Sequence, residues 1–595
     1  MRRLSLWWRR RWRRLLWTQL ARRTPSDTAF LILIPLVGLA VGTAALGIAH
    51  LIAWVQLHLW GSGENVLEAA RATSWPWRLA IPAGGGLVLG LLGWLLPIRF
   101  RGRGTAGVIQ AVALKGGAVS LRRESPGTLA GILTVASGGS LGREGPMVEF
   151  GVALSSWLGR RFRLNPQHLR ILVCAAAGAG LAAAYNAPIG GTIFAMEILI
   201  GNFALEIFGP VVIASVLSTL VFRSASGDLP RFIVPSYQMV SPWELIAYLA
   251  LGILSGIYAV GMIRGMGAVG RGFERLRFPA PLKPALGFAL VGGMGIWFPE
   301  VYGNGYEAVN LVLHQTFPLT LLLALLVMKL LATAVTRGSG GTGGIFTPTL
   351  MMGAMLGGAF GTLVHGWFPE TTAHSGAYAL VGMGAMVAGT THAPIMAIMM
   401  IFEQTNSYQV ILPLMFVCII SNWTARLLKK ESIHIDTLRR RGVVLPTGPE
   451  GSVMQSLKVG NLLHDDPVAV RNTDSFGAVV ERFVNLRHNY LYVVDGNGRF
   501  EGAIPLHEIK QVLHQGESLS MVMAHDLVDP EFACVTPEAT LAETMEAFWR
   551  QNSERLPVVN DAVERRLVGW ISKQDLIGVY NQEILHTRQI MGRFG

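Results

Sequence analysis

The chain is poor in charge, poor in cysteine and, at its start, devoid of acid. Only 15% of its 595 residues are Asp, Glu, Lys or Arg. An average soluble domain carries about 25%, so an ordinary water-facing surface is excluded for much of the chain. Three cysteines, Cys174, Cys418 and Cys534, lie far apart. They make neither a disulfide framework nor a metal site, and the two in apolar runs read as core residues. No H-E-x-x-H pair and no phosphate-binding lysine loop occurs. The first 23 residues hold nine Arg and no Asp or Glu, interleaved with Trp7, Trp8, Trp12 and Trp17. A cleaved signal peptide is not expected, because the basic block is too long and no clear small-residue cleavage site follows it. Arg with Trp beside an apolar segment reads as a cytoplasmic helix at the membrane interface over 1–27, not as a nucleic-acid-binding arm.

What is abundant is apolar. Hydrophobic residues make up 51% of the chain, and mean hydropathy is +0.43. Runs long enough to span a bilayer recur from residue 28 to residue 428, which predicts a polytopic α-helical membrane protein. Predicted helices cover 28–60, 78–98, a segment opening at 104–108, 206–222, 244–268, 284–298, 317–335, 349–366 and 376–390. Seventy glycines are too many for straight helices alone and predict interrupted, closely packed ones.

The sequence repeats itself. S-G-G-S-L-G-R-E-G-P at 137–146 and S-G-G-T-G-G-I-F-T-P at 339–348 share S-G-G-[ST]-x-G-x-x-x-P, offset by 339 − 137 = 202 residues. N-A-P-I-G-G-T-I-F-A-M-E at 186–197 and H-A-P-I-M-A-I-M-M-I-F-E at 392–403 share Ala-Pro-Ile and a closing Glu, offset by 394 − 188 = 206. Two motif pairs in the same order establish a duplication, with halves of about 28–222 and 244–428. Gly/Pro-broken segments in corresponding places of two halves point to a transport site between them, and inverted halves are the expectation.

The chemistry favoured by this site is anion binding. A dehydrated anion needs positive potential without a full trapped charge. Free N–H groups at helix N-termini, with the helix macrodipole of about half a charge, supply it. Glycine turns before apolar helices at 104–108, 142–146 and 344–348 offer three such ends. Glu144, between glycines, is the ionisable exception and the candidate gate. As a carboxylate it takes an anion's place, and protonated it can leave. The competing reading pairs it with Arg143 at a membrane surface. Glu197 and Glu403 are expected to bond backbone at helix ends. G-G-S-L-G at 138–142 formally matches a nucleophile elbow on Ser140, without the strand-turn-helix context or a placed His partner. No enzyme is predicted.

Beyond the membrane half, 431–454 reads as a charged exit and linker. A soluble α/β pair follows, split at 455–517 and 518–595. Y-L-Y-V-V-D-G-N-G-R-F-E-G-A-I at 490–504 reads as strand, turn, strand, and R-L-P-V-V-N-D-A-V-E-R-R-L-V-G-W-I at 555–571 repeats it.

With G-R-E-G-P at 142–146, G-G-I-F-T-P at 343–348 and N-S-Y-Q-V-I-L-P at 406–413, residues 28–430 resemble the CLC family of chloride channels and chloride/proton exchangers. The tail resembles a tandem CBS pair. The resemblance implies inverted repeats, a homodimer in the bilayer and chloride as the bound ligand. It implies Glu144 as the gate and anion contacts from Thr105, Ile345, Phe346 and Tyr408. Gly142, Arg143, Gly145 and Gly344 would form the helix N-termini along the path. The family's first signature is altered to G-T-A-G-V, in which Thr105 keeps the hydroxyl. Ile198 falls where exchangers carry an internal proton-relay glutamate, and isoleucine cannot carry a proton. This favours channel-like conduction, with chloride/proton antiport as the alternative. A CBS-bearing cation carrier would need acidic clusters that the membrane half lacks. No cofactor is required. An adenine nucleotide at the CBS pair would use Ser572 and Asp575 of G-W-I-S-K-Q-D, while Pro505 and Glu508 occupy the matching places of the first repeat. An Arg-rich start without a targeting signal suits a bacterial inner membrane, with the N-terminus and tail cytoplasmic.

Overall fold

The computed structural model describes residues 25–579, apart from 64, 96–101, 103, 202, 228–231, 233, 236, 238, 444–456, 485–488, 516–520, 552 and 562. The interface helix expected over 1–27 lies almost wholly outside the described residues, as do Arg99, Arg101, Arg103 and the P-T-G-P-E-G stretch. The chain divides into two units, 1–445 and 446–595.

The first half of the membrane unit runs α1 (Pro25–Trp60), α2 (Val66–Ala72), α3 (Trp75–Leu95), α4 (Gly104–Leu114), α5 (Leu121–Ala136), α6 (Glu144–Arg161), α7 (Pro166–Tyr185), α8 (Pro188–Phe194) and α9 (Leu205–Ser226). The second half runs α10 (Glu244–Arg275), α11 (Lys283–Trp297), α12 (Tyr306–Leu313), α13 (Leu319–Ser339), α14 (Phe346–Trp367), α15 (Ser375–Thr391), α16 (Pro394–Thr405), α17 (Ile411–Leu428) and α18 (Ile433–Arg440). Eight described helices are long and apolar enough to cross a membrane.

The two halves use the same local devices. α7 and α15 end on non-glycine residues in the left-handed region, Asn186 at φ 59° and His392 at φ 60°. In both copies a proline then opens the next helix, Pro188 for α8 and Pro394 for α16. There its missing N–H costs nothing and its fixed φ suits the first turn. Packing repeats as well. α1 lies on α9 as α10 lies on α17, and α6 lies on α7 as α14 lies on α15. α3 packs on α11, and α8 on α16, joining the halves.

One segment differs from the sequence expectation. Residues 433–440, placed in the linker, form α18, which packs on α4 and α15 of the membrane unit. Its charges are internally matched. Asp436 meets Lys429 at 2.9 Å and Arg440 at 2.6 Å, and Glu431 meets Arg439 at 2.6 Å. That leaves Ile433, His434 and Leu438 buried.

In the second unit, β1 (Ala469–Arg471) pairs in parallel with β2 (Tyr490–Val494), which pairs antiparallel with β3 (Phe500–Pro505). The turn between β2 and β3 has Gly498 at φ 78°, as its D-G-N-G sequence requires. α19 (Phe476–Val484) precedes this hairpin and α20 (Leu506–Gln515) follows it. α21 (Leu541–Gln551) precedes the second hairpin, β4 (Arg555–Val559) and β5 (Leu567–Ser572). The repeats join where Phe500 N donates to Arg565 O at 2.8 Å and Leu567 N to Gly498 O at 3.1 Å.

Candidate anion cradle

The two glycine loops meet back to back. Gly142 N donates to Gly344 O, and Gly344 N to Gly142 O, both at 2.8 Å. These residues are equivalent in the two halves, since 344 − 142 = 202. Reciprocal bonds between equivalent residues are what a two-fold axis produces. The outer supports repeat the pattern. Ser140 N donates to Thr336 Oγ1 at 3.1 Å, and Thr342 N to Thr134 Oγ1 at 3.2 Å. The loops need their glycines. Gly138 and Gly340 sit at φ 95° and 122°, and a Cβ on Gly145 would strike the backbone of Gly343 and Gly344.

This clasp places the start of α6 against the start of α14. Glu144, the first residue of α6, is 2% exposed. Its Oε1 accepts from Phe346 N at 3.0 Å and Thr347 N at 3.3 Å, and its Oε2 accepts from Thr347 Oγ1 at 3.1 Å. The Tyr185 and Thr347 hydroxyls share a hydrogen bond of 2.9 Å. A carboxylate of one half thus takes the free amides at the helix N-terminus of the other. Charge-assisted bonds of this kind contribute about 1.5–3 kcal/mol each.

Arg143 does not pair with this carboxylate. Its guanidinium lies 5.8 Å over the Tyr306 ring, and its buried Nε and Nη2 have no hydrogen-bond partner among the described residues. Ser140 is fully buried with its hydroxyl 3.2 Å from that of Thr333, a structural contact rather than a poised nucleophile. The fully buried Lys329 donates to Val301 O and Gly303 O, both at 3.0 Å, so its ammonium is taken up by backbone.

Of the residues expected in the cradle, Ile345 caps α14 and Phe346 starts it, both buried. Thr105 is the second residue of α4, where Gly104 N donates to Glu149 Oε1. Tyr408 is not brought to the site. It lies in the turn after α16 with 75% of its surface exposed, and Asn406 in the left-handed region at φ 50° ends the helix before it. The tyrosine hydroxyl beside Glu144 and Thr347 belongs to Tyr185. The side chain that meets Phe346 from α18 is His434, with ring centroids 5.9 Å apart. Tyr185, Thr347, Glu149 and His434 were all missed in the sequence. Glu149 could have been noticed as a second acid five residues along the same apolar helix.

Ile198 lies in a π-helical turn, Ala195–Ile200, packed against the apolar core. Its neighbour Glu197 accepts from Ile395 N at 3.3 Å and Met396 N at 2.7 Å, at the start of α16. Glu403 accepts from Ile189 N at 2.9 Å and Gly190 N at 2.6 Å, at the start of α8. Each glutamate caps the other half's helix. In the tail, Ser572 Oγ lies 2.5 Å from Asp575 Oδ2, and His464 Nε2 lies 2.9 Å from the same oxygen. Hydrogen bonds from Ser572 and then His464 hold the Asp575 carboxyl below the usual carboxylate range. No group of three or more metal-ligating side chains occurs among the described residues.

The voltage gated chloride channel family model matches residues 84–426, more than half of the chain. The protein belongs to that family. CBS domain models match 459–515 and 523–581. A protein of Ralstonia nicotianae named as a ClcB-like chloride channel protein is 39% identical over 415 residues, 68% of this chain and 95% of the relative. A voltage-gated ClC-type chloride channel ClcB of Escherichia coli is 34% identical over 413 residues, 68% of this chain and 97% of the relative. A solved slow cyanobacterial Cl−/H+ antiporter aligns with TM-score 0.63 and 25% identity, covering 69% of this chain and 98% of its own. A eukaryotic CLC transporter aligns at 0.60 and 16% identity over 93% of this chain and 99% of its own, which bears on the fold alone. The chain is therefore an integral membrane protein of a chloride-transporting family, not an enzyme family, with a CBS pair at its C-terminal end.

Proposed function

We propose that the protein conducts chloride through a path gated by the Glu144 carboxylate. The observation that carries this reading is the bonding of that carboxylate to the Phe346 and Thr347 amides and the Thr347 hydroxyl. Those donors suit a chloride ion equally well, so carboxylate and chloride compete for one set. Protonating Glu144 removes its charge, weakens its hold and frees the amides. Thr105 and the amide of Ile345 are proposed as further contacts, with Gly142, Arg143, Gly145 and Gly344 along the path.

Channel-like conduction is the favoured mode, because Ile198 offers no ionisable relay towards the cytoplasm. The antiport reading draws support from the cyanobacterial Cl−/H+ antiporter, similar over 69% of this chain. One preparation distinguishes them. In reconstituted vesicles at saturating chloride, flux should rise as pH falls through the titration of Glu144, and E144Q should be open at all pH. Unchanged acid activation in E144Q would remove the gate assignment. Uphill proton movement driven by a chloride gradient would replace the channel with an antiporter.

The same reading takes the protein as a homodimer, one path per subunit, in a bacterial inner membrane with the CBS pair cytoplasmic. Ser572 and Asp575 are the proposed adenine-nucleotide contacts. In the structure they bond each other and His464, so a nucleotide must displace or share those bonds. Titration of the full-length protein with ATP and AMP tests this, and absent heat in the wild type would leave the tail a structural element.

A further inference from the structure

We infer that Glu149 is a resident negative charge at the N-terminus of α4, and that it lowers the cradle's affinity for chloride. The inference rests on the anion-transport reading above. Glu149 is 4% exposed and lies on α6, five residues after Glu144. Five residues are about 7.5 Å of helix rise, so one helix carries both acids in the region of the glycine loops. Each acid meets the start of a different helix. Glu144 accepts from the Phe346 and Thr347 amides of α14, and Glu149 Oε1 accepts from Gly104 N, at the first residue of α4. Thr105, the proposed chloride contact, follows directly. The end of α4 that favours an anion is thus already answered by a carboxylate.

The surroundings are shaped to that carboxylate. A Cβ on Gly102 would strike both the Glu149 carboxylate and the Thr342 methyl group, and one on Gly127 of α5 would press on Gly102. Gly102 N donates to Thr342 Oγ1 at 3.4 Å, which ties the entry of α4 to the second glycine loop, two residues before Gly344. The second half builds the same corner without charge. Residue 149 + 202 = 351 is Met351, which is fully buried. It abuts Gly305, the N-cap of α12, whose first residue Tyr306 matches Gly104, since 104 + 202 = 306. The duplicated fold therefore closes this corner with a thioether, and the acid of the first half is an addition beside the anion path.

Charged neighbours do not alter the sign of its effect. Arg101 and Arg103 flank Gly102 in sequence and lie outside the described residues, and Glu124 stands in the first turn of α5, before Gly127. α4 itself carries no Asp, Glu, Lys, Arg or His. Whatever else Glu149 contacts, removing its charge makes the potential at Thr105 more positive, and chloride binds more tightly. Glu144 and chloride compete for the same amides, whereas Glu149 and chloride repel each other across Thr105. An anion held by several unopposed helix ends would leave slowly, and conduction requires binding weak enough to release the ion.

The test uses full-length protein in the E144Q background, where the gate's charge is absent, with chloride affinity measured calorimetrically at neutral pH. E144Q/E149Q keeps a carbonyl that can accept from Gly104 N, so α4 stays capped. It should bind chloride at least about tenfold more tightly than E144Q, as a nearby unit charge in a partly polar interior gives. E144Q/E149M, which installs the residue of the other half, should also bind more tightly and serves if the glutamine variant folds poorly. Unchanged or weaker binding in either folded variant would overturn the inference and make Glu149 a helix cap alone, leaving the cradle intact. No chloride binding in E144Q, with or without Glu149, would overturn the cradle itself.

Discussion

Two duplicated positions in this protein have had opposite histories. At 197 and 403 both copies keep glutamate, and each carboxylate caps the helix of the other half. At 144 and 346 one copy has glutamate and the other phenylalanine, on loops joined by a reciprocal pair of bonds. The first arrangement is symmetric, with every amide answered by a fixed acceptor. In the second, one half supplies a carboxylate and the other the amides that receive it, with no second carboxylate. Symmetric caps have no reason to leave. A single carboxylate facing donors that chloride can also satisfy has a competitor, and competition is what a gate needs.

The comparison can be broken from either side. The largest expected effect is on transport. Replacing Glu144 by Gln or Ala should raise chloride flux many-fold at neutral pH and saturating chloride, with stability little changed. E403A or E197A should do the reverse, leaving acid activation in place while lowering stability by about 2–4 kcal/mol, since each strands two backbone amides. Thermal denaturation in detergent beside vesicle flux separates the two. Equal destabilisation by E144A and E403A would erase the distinction. A smaller effect is expected from T347V, which removes the hydroxyl bond to Glu144 Oε2. Losing about 1.5 kcal/mol of hold should increase the open fraction roughly tenfold at neutral pH, measured as flux relative to E144Q. The smallest concerns the tail. Because Asp575 is held below its ordinary range by Ser572 and His464, its contribution to stability is present above about pH 4 and lost as pH falls through the depressed value. The pair is partly exposed, so D575N should cost less than about 1 kcal/mol, read by hydrogen exchange of the β4–β5 amides in the full chain.

Much of this arrangement was legible in the sequence because it is carried by backbone. Glycine at 138 and 340 allows the positive φ of the loops, glycine at 142 and 344 leaves room for the Glu144 side chain, and proline at 188 and 394 fixes φ at the helix starts; their repetition at offsets of 202 and 206 residues exposed the two halves. Glu144 stood out because acids are rare in apolar segments. The missed residues are those whose role depends on distant packing. Tyr185 closes an apolar helix and looks like core until Thr347 is placed beside it. His434 was hidden in a stretch of charge, because ion pairs between neighbours let a highly charged octapeptide present a buried face. Tyr408 failed for the converse reason. A tyrosine in a polar, helix-ending turn matched the family's motif by its position in N-S-Y-Q-V-I-L-P, but the turn leaves it exposed.

The central claim is that the Glu144 carboxylate and a halide occupy the same donors in turn. Anomalous diffraction from bromide-soaked crystals of the wild type and of E144A tests it most directly. In E144A a bromide should lie within hydrogen-bonding distance of the Phe346 and Thr347 amides, and in the wild type at neutral pH that position should hold the carboxylate instead. A bromide on those amides with the Glu144 carboxylate still bound there, or no bromide near them in E144A, would contradict the account.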